Sequence, residues 1–409
     1  MRKCVIIPAL LLVFIIAKDV WSQGAWTQVA DFGGGVRSAT AVFSIDSKGY
    51  VLGGSDGGQF YNDLWEYDPQ TNSWTQMSSL PAVKRANAVA FSIGSKAYVG
   101  TGYCGGTTYC ADFWEWDQAT NTWTQITSFP GEGGIGLTSC VAFSIGGRGY
   151  VGTGWRTGAS GFVFSKEFWE YETSAGAWSR KADFPGTARL AAVGFAIEDR
   201  GYIGTGEDSL GDCSDFWEYN PISNEWTEIA NFPGSPRSYA VGFSVGNSGY
   251  VGAGIGSAIL NDFWEWNQDD NAWAQIADYP GGGGSGIREG DGFCLDSVAY
   301  MGLGIAPGIN RQEDFWRFSP DSVSGFAEGE QTETISVWPN PAGNQVWVKH
   351  DGVHESSLCV FGADGRMVRT QSIDRTSTVD IEHCAPGLYV FEVATEKEVQ
   401  RILVVKVPD

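Results

Sequence analysis

The chain has 409 residues and a net charge of −22, with 18% charged residues, 14% aromatic residues and 56 glycines. This length is sufficient for two domains. Abundant glycine and aromatic residues favour an all-β protein built from short strands and tight turns. The strong negative charge repels nucleic acid and anionic membrane surfaces, which excludes nucleic-acid binding.

The N-terminus predicts a signal peptide over residues 1–22. Arg2 and Lys3 precede an apolar run at 5–17, and Val20 and Ser22 provide compact residues before a cleavage point at Gln23. The run is too short to span a membrane comfortably and nothing similar follows, so we expect no transmembrane segment. The sequence therefore predicts an exported protein.

Seven cysteines remain after this cleavage point, an odd number that leaves at least one thiol free unless it pairs with another chain. Cys104 and Cys110 flank one glycine-rich loop and are the best disulfide candidates in an oxidising compartment. Closing this loop stabilises the fold by about 2 kcal/mol. Cys140 and Cys294 fall on predicted strands, where we expect small core residues. No metal site or cofactor is expected.

An aromatic motif recurs six times, about every 50 residues. It reads DLWEY at 63–67, DFWEW at 112–116, EFWEY at 167–171, DFWEY at 215–219, DFWEW at 262–266 and DFWRF at 314–318. Each repeat predicts four strands, A to D; in the second repeat these are 86–93, 97–101, 112–116 and 121–126. The glutamate of strand C is common to all but the last repeat, so we expect it to be structural.

The first and last repeats complement each other. The sixth repeat ends at Phe318 without a strand D, whereas the chain begins with WTQVA at 26–30, a strand D with nothing before it. The repeats resemble the kelch family, although a split Gly-Thr-Gly replaces the glycine pair in most of them. The resemblance implies an all-β, six-bladed kelch-type β-propeller over residues 23–320, closed by the N-terminal strand.

A different pattern follows a polar linker at 321–334. Residues 335–409 contain an opening Pro-Asn-Pro at 339–341, an Asp-Gly turn at 364–365, Pro-Gly-Leu-Tyr at 386–389 and a late Lys406. These features resemble the type IX secretion C-terminal sorting domain, and the short strands predict a small C-terminal β-sandwich. The resemblance implies export by the type IX secretion machinery of a Gram-negative bacterium, followed by release or attachment at the outer surface.

The connections B–C and D–A emerge on one face of a propeller, and the B–C loops differ in every repeat, so binding is expected on this variable face. An arginine precedes most strands A, with a break at Leu137 in the third repeat. Such a ring would hold a carboxylate or sulfate at the channel mouth, or else each arginine pairs with acidic or carbonyl groups of the adjacent blade. The series is Arg37, Arg85, Arg189, Arg237 and Arg288.

The longest B–C loop carries Trp155, Arg156, Phe162 and Phe164. These residues either form a platform on which a sugar stacks or only pack the loop against the blade.

Catalytic residues are not expected. Copper chemistry of the galactose oxidase type requires histidine ligands, but His350, His354 and His383 all lie in the C-terminal domain. The leading hypothesis is a non-catalytic module that binds glycan or extracellular protein. One alternative is a carbohydrate-active enzyme similar to sialic-acid mutarotase, using Arg288 with Glu289, Asp291 or Glu132. A third hypothesis is that the protein is a structural component of the cell surface.

Overall fold

A computed structural model describes residues 24–158, 161–320, 335–338, 345–350, 356–362, 367–373, 376–381, 383–385, 387–394 and 399–406. The chain divides into two compact units, Met1–Ser324 and Gly325–Asp409. The predicted signal peptide at 1–22 and linker at 321–334 lie outside the described residues. Among the described residues, no helix has the length and hydropathy needed to cross a membrane.

The first unit is a β-propeller of six four-stranded antiparallel sheets, as predicted. The strands A to D of blade 1 are Ala41–Ile45, Lys48–Leu52, Leu64–Asp68 and Ser73–Met77. Those of blade 2 are Val89–Ile93, Lys96–Gly100, Phe113–Asp117 and Thr122–Ile126. Those of blade 3 are Val141–Ile145, Arg148–Gly152, Phe168–Glu172 and Ala177–Arg180. The strands A to D of blade 4 are Val193–Ile197, Arg200–Gly204, Phe216–Asn220 and Glu225–Glu228. Those of blade 5 are Val241–Val245, Ser248–Gly252, Phe263–Asn267 and Ala272–Ile276.

Blade 6 takes its outer strand from the other end of the chain. Its strands A to C are Asp291–Leu295, Val298–Gly302 and Phe315–Ser319, and its strand D is the N-terminal strand Ala25–Val29. The N-terminal strand runs antiparallel to strand C, from Ala25 opposite Ser319 to Val29 opposite Phe315. The predicted ring closure is therefore confirmed, and it leaves no blade with a missing outer strand.

Strand A of the second repeat starts later than predicted, at Val89 rather than Ala86. Asn87 adopts a left-handed backbone conformation with φ of 51°, which breaks the extended conformation before the strand. Strand B ends at Gly100 because Thr101 has φ of 58°. These turns bend the chain where it enters and leaves the variable face.

Strands A line the central channel and alternate between two environments. In blade 1, Ala41, Phe43 and Ile45 are buried between blades, whereas Val42 and Ser44 line the channel. Strands B and C are joined by a Tyr–Glu pair; Tyr50 donates to Glu66 at 2.7 Å and Tyr150 to Glu170 at 2.6 Å. The repeated strand C glutamate thus holds two strands of its blade together.

The described residues of the second unit form seven strands in two sheets. The three-stranded sheet consists of Ile335–Trp338, Gln345–His350 and Thr376–Asp380, and the four-stranded sheet of Ser356–Gly362, Met367–Ile373, Gly387–Ala394 and Val399–Lys406. Side chains from both sheets share one core, as in a β-sandwich. Lys406 is buried, and its Nζ donates to the carbonyl oxygens of Ile381 and Cys384, each at 2.8 Å.

Candidate functional site

Five aromatic rings form a continuous arc across blades 1, 2 and 3 on the variable face. Successive ring centroids lie 5.5, 5.9, 5.4 and 4.8 Å apart. In order, the rings belong to Phe60, Tyr103, Tyr109, Trp155 and Phe162. Phe162 at the end of the arc is 73% exposed. An aromatic cluster that is partly open to solvent is characteristic of a binding surface.

Two β-hairpins in the B–C loops position four of these rings. Tyr103 and Tyr109 lie on the blade 2 hairpin, Tyr103–Gly105 with Thr108–Tyr109, and Trp155 and Phe162 lie on the blade 3 hairpin, Trp155–Gly158 with Gly161–Phe164. The Tyr109 hydroxyl lies 2.9 Å from the Thr157 hydroxyl, so the two hairpins are joined. A disulfide between Cys104 and Cys110, with Cα atoms 5.9 Å apart, closes the base of the first hairpin.

Four rings of the arc, all except Phe60, form one wall of a groove of about 560 Å³. Its other lining residues supply hydroxyl and amide groups or backbone, and the groove reaches the channel mouth at Tyr239. The complete lining is Asn87, Tyr103, Gly106, Thr107, Tyr109, Thr138, Ser139, Trp155, Thr157, Gly161, Phe162 and Tyr239. Apolar walls with a few converging polar groups are typical of small-molecule sites.

Strand alternation separates the four residues predicted on the blade 3 loop. Trp155 pairs with Phe164 and Thr157 with Phe162, so these side chains share one face of the hairpin, and Trp155 and Phe162 enter the groove lining. Phe164 is half-buried beside Trp155 and is not part of that lining. Arg156 belongs to the opposite face and is buried, so the prediction that it binds ligand is not supported.

The predicted arginine ring is not available to a ligand at four of its five positions. Arg85 is 1% exposed and forms a bidentate pair with Asp112 at 2.9 and 2.8 Å. Burial raises the pKa of Asp112, but the hydrogen bonds and charge of Arg85 lower it below the ordinary value. The other three buried pairs are Arg37 with Asp63, Arg189 with Asp215 and Arg237 with Asp262.

These pairs also correct the partner that we expected. Each aspartate belongs to the same repeat as its arginine and accepts a second bond from the first strand C tryptophan, as Asp112 does from Trp114 at 2.7 Å. The backbone joins the neighbouring blade instead, because Arg85 N donates to Tyr61 O in blade 1. These four arginines therefore fasten the variable-face connections and do not present their guanidinium groups to a ligand.

Arg288 is displaced by one residue from the series. Arg85 lies four residues before strand A, and the matching residue in blade 6 is the buried Ile287. Arg288 is partly exposed instead, and its guanidinium lies 3.4 Å from Glu289. It is the one predicted arginine of the five whose side chain is not buried.

Blade 3 replaces its missing arginine from another loop. Leu137 occupies the series position, and Arg156 supplies the guanidinium, donating to Glu167 at 2.9 Å and to Glu132 at 2.7 Å. Glu167 replaces the usual aspartate and still accepts from Trp169 at 3.0 Å. The longer glutamate therefore pairs with an arginine that arrives from the B–C hairpin.

Six residues circle the channel mouth and are joined by backbone hydrogen bonds from each blade to the next. Their N···O distances are 2.8 to 3.4 Å, and all six have φ between 50° and 57°. This mouth ring consists of Ala39, Asn87, Ser139, Ala191, Tyr239 and Glu289. The Tyr239 hydroxyl interacts with Ser139, two blades away; burial, followed by the Glu289 charge, raises the pKa of Tyr239 to about 12. Tyr239 thus lies across the mouth.

One carboxyl group lies just inside the mouth ring. Asp291 accepts hydrogen bonds from the Thr40 hydroxyl and backbone amide, which joins blade 6 to blade 1. Burial raises the pKa of Asp291 to about 7, the Thr40 bonds oppose this shift and the Glu289 charge adds to it. Cys140 and Cys294 also line the channel, and both are partly buried against the hydrophobic core between blades, as expected of small core residues.

Sequence reasoning missed the residues that complete the groove. Tyr103 and Tyr109 immediately flank the cysteines that were singled out, so the predicted disulfide loop was a usable signal for them. Asn87 and Tyr239 carried no comparable signal, because their left-handed conformation and their meeting at the mouth depend on the closed ring. In the described part of the chain, no group of three or more potential metal ligands occurs.

Comparisons with known proteins agree with both units. Residues 10–154 match the KLHDC2/KLHL20/DRC7 Kelch-repeats domain, and residues 336–406 match the secretion system C-terminal sorting domain. A solved structure titled "Structure of YjhT" is similar with a TM-score of 0.60 and 16% identity, covering 70% of this chain and 95% of that one. This likeness supports the fold. No curated protein matches the chain.

Proposed function

We propose that this kelch-repeat β-propeller protein, which carries a type IX secretion C-terminal sorting domain, is a non-catalytic module that binds saccharides through the groove on its variable face. The sorting domain indicates a protein that is secreted or held at the outer surface of a Gram-negative bacterium. A ligand for such a protein is an extracellular molecule, and glycans are abundant there.

The aromatic arc is the observation that supports saccharide binding. The C–H faces of a sugar pack on aromatic rings, while its hydroxyl groups require donors and acceptors around the ring edge. The groove offers both, because Thr107 and Thr157, which carry hydroxyl groups, line it together with Trp155 and Tyr109. The disulfide and the bond between Tyr109 and Thr157 hold the two hairpins in place before ligand arrives, which reduces the entropic cost of binding.

A glycan array probed with the full chain tests this proposal. We expect at least one saccharide to bind, and the signal to fall at least tenfold with Trp155→Ala. Ile222→Ala is the matched control, because Ile222 is an 84% exposed apolar residue in a C–D turn on the opposite face. Saccharide binding that is indifferent to Trp155→Ala, or an array without any signal, would overturn the proposal. Capture of secreted proteins that depends on Trp155 would favour a protein ligand instead.

A second candidate function is acid–base chemistry on a sugar at the channel mouth. Arg288 and Glu289 are 3.4 Å apart there, and the neighbouring Asp291 has a pKa of about 7, near the optimum for a general acid or base at neutral pH. Turnover of a sialic or uronic sugar that is lost with Arg288→Ala would favour this function. Full turnover by Arg288→Ala, or none by the unmodified protein, would contradict it.

A further inference from the structure

We infer that the groove selects neutral saccharides and rejects acidic ones. This inference rests on the proposed function and narrows its ligand class. It follows from the groove lining, from the sequestered state of the arginines beside it and from the charge of the whole chain.

Among the described residues, the groove lining contains no carboxylate, guanidinium or ammonium group. All polar side chains of the lining are hydroxyl groups, an indole N–H or the single amide of Asn87. Tyr239 stays neutral, because its pKa is raised to about 12. A carboxylate or sulfate brought into this space would lose hydration without gaining an opposite charge, which is costly.

The neighbouring arginines do not compensate for this, and the partly exposed Arg288 at the channel mouth is itself paired with Glu289 at 3.4 Å. Arg156 lies on the back of the hairpin that carries Trp155, and two carboxylates already hold it, from Glu132 and Glu167. Arg85 is saturated by Asp112, Thr101 O and Val83 O. Redirecting either guanidinium into the groove would leave Glu167, which is buried, or Asp112, which is partly buried, without its cation, at a cost that a surface ligand does not return.

Long-range electrostatics act in the same direction. The net charge of −22 makes the potential around the protein negative, so a polyanionic glycan is repelled before contact. A neutral glycan is unaffected by this field. Its binding should therefore vary little with salt, whereas residual binding of an acidic glycan would depend on salt.

A quaternary ammonium group is the other ligand that aromatic walls attract. The polar part of the groove favours a sugar, because three threonine and serine residues with hydroxyl groups, Thr107, Ser139 and Thr157, line it. A trimethylammonium group cannot use hydroxyl groups as hydrogen-bond partners, whereas a polyhydroxylated ring can use several at once.

Calorimetric titration of the full chain tests the inference with four kinds of probe at low and high salt: neutral hexose oligosaccharides, uronic-acid oligosaccharides, sulfated oligosaccharides and choline. We expect a neutral oligosaccharide to bind with an affinity that changes less than about twofold with salt. Its affinity should fall about tenfold with Trp155→Ala and several-fold with Thr107→Val, and stay unchanged with Ile222→Ala. Thr107 is exposed at the hairpin tip, so its substitution should not disturb folding.

The other outcomes separate this inference from the proposed function. Acidic oligosaccharides that bind best and lose affinity with Trp155→Ala would overturn the selectivity and leave saccharide binding intact. Selective binding of choline, or binding of no probe, would overturn both. A neutral ligand that retains full affinity in Trp155→Ala would overturn both as well, since it would bind elsewhere.

Discussion

The Trp26 indole N–H donates to the Ala277 carbonyl oxygen at 3.0 Å, joining two residues that are 251 positions apart. The bond is one of six of the same kind. In each, the tryptophan of a strand D donates to a carbonyl oxygen of the preceding blade, on the first or second residue after strand D of that blade. The other five run from Trp74 to Ala30, Trp123 to Ser78, Trp178 to Thr127, Trp226 to Ala182 and Trp273 to Ala230. Trp26 thus makes the N-terminal strand a full member of the ring.

Trp26→Ala should destabilise the whole propeller, since the indole also packs on Phe263, Tyr279 and Phe318. We expect the free energy of unfolding to fall by about 3 kcal/mol. Denaturant unfolding followed by tryptophan fluorescence measures this loss. Thr27→Ala is the control, because Thr27 is exposed on the same strand and should change stability by less than about 0.5 kcal/mol. Equal stability of the two variants would mean that the N-terminal strand does not close the ring.

Trp155 and Arg156 should have separable roles despite being neighbours. Arg156→Ala should lower the free energy of unfolding by about 3 kcal/mol, because it leaves Glu167 buried without a cation. Trp155→Ala should lower it far less while weakening ligand binding. Thermal unfolding of both variants checks the first claim and titration of the Trp155 variant the second. If the Arg156→Ala protein were as stable as the unmodified protein but no longer bound ligand, Arg156 would be part of the ligand site.

Asp291 should make stability depend on pH between about 4 and 7. Its pKa of about 7 in the folded protein exceeds the unfolded value of about 3.9, so folding favours the protonated form. This contribution is complete at pH below about 4 and is lost as pH rises through about 7. Asp291→Asn cannot ionise, and it should gain stability relative to the unmodified protein over this window. Parallel pH profiles of unfolding for the two proteins would contradict the assignment.

Tyr279→Phe should stabilise the protein. Tyr279 is fully buried and its hydroxyl has no hydrogen-bond partner, while blades 1, 3, 4 and 5 have phenylalanine at the matching position. Removing an unsatisfied buried hydroxyl should raise the free energy of unfolding by about 1 kcal/mol. Tyr50→Phe is the matched control and should have the opposite effect, because the Tyr50 hydroxyl donates to Glu66 at 2.7 Å. A loss of stability with Tyr279→Phe would show that its hydroxyl is satisfied.

The propeller was predictable because its signals are repeated and local. Trp65 and its five counterparts set the blade count, and a strand missing at one end matched a spare one at the other, so neither inference required a side-chain contact. The arginines were harder to interpret because a spacing does not reveal burial. Arg288 lies one residue after the position of the series, because the D–A connection before blade 6 contains an extra turn, Gly282–Gly284. The D–A connection before blade 3 contains a similar extra turn, Glu132–Gly134. In both blades the arginine is absent from the expected position.

The groove was only half predictable for a different reason. Trp155 and Phe162 were identified on the longest loop, but nothing in the sequence shows that Tyr109 of blade 2 packs against Trp155 of blade 3. Their contact depends on how two hairpins lean across a blade boundary, which is a tertiary property. The structural role of Arg156 could not be predicted either, because its partner Glu132 lies in the D–A connection and not in the B–C loop that carries Arg156.

The most direct test of saccharide binding is a crystal structure of the protein with the tightest-binding oligosaccharide from the array. The account predicts a sugar ring in the groove, in contact with Trp155 and Tyr109 and hydrogen-bonded to the threonine hydroxyl groups. A sugar bound instead at the channel mouth beside Arg288 and Glu289, with the groove unoccupied, would contradict it.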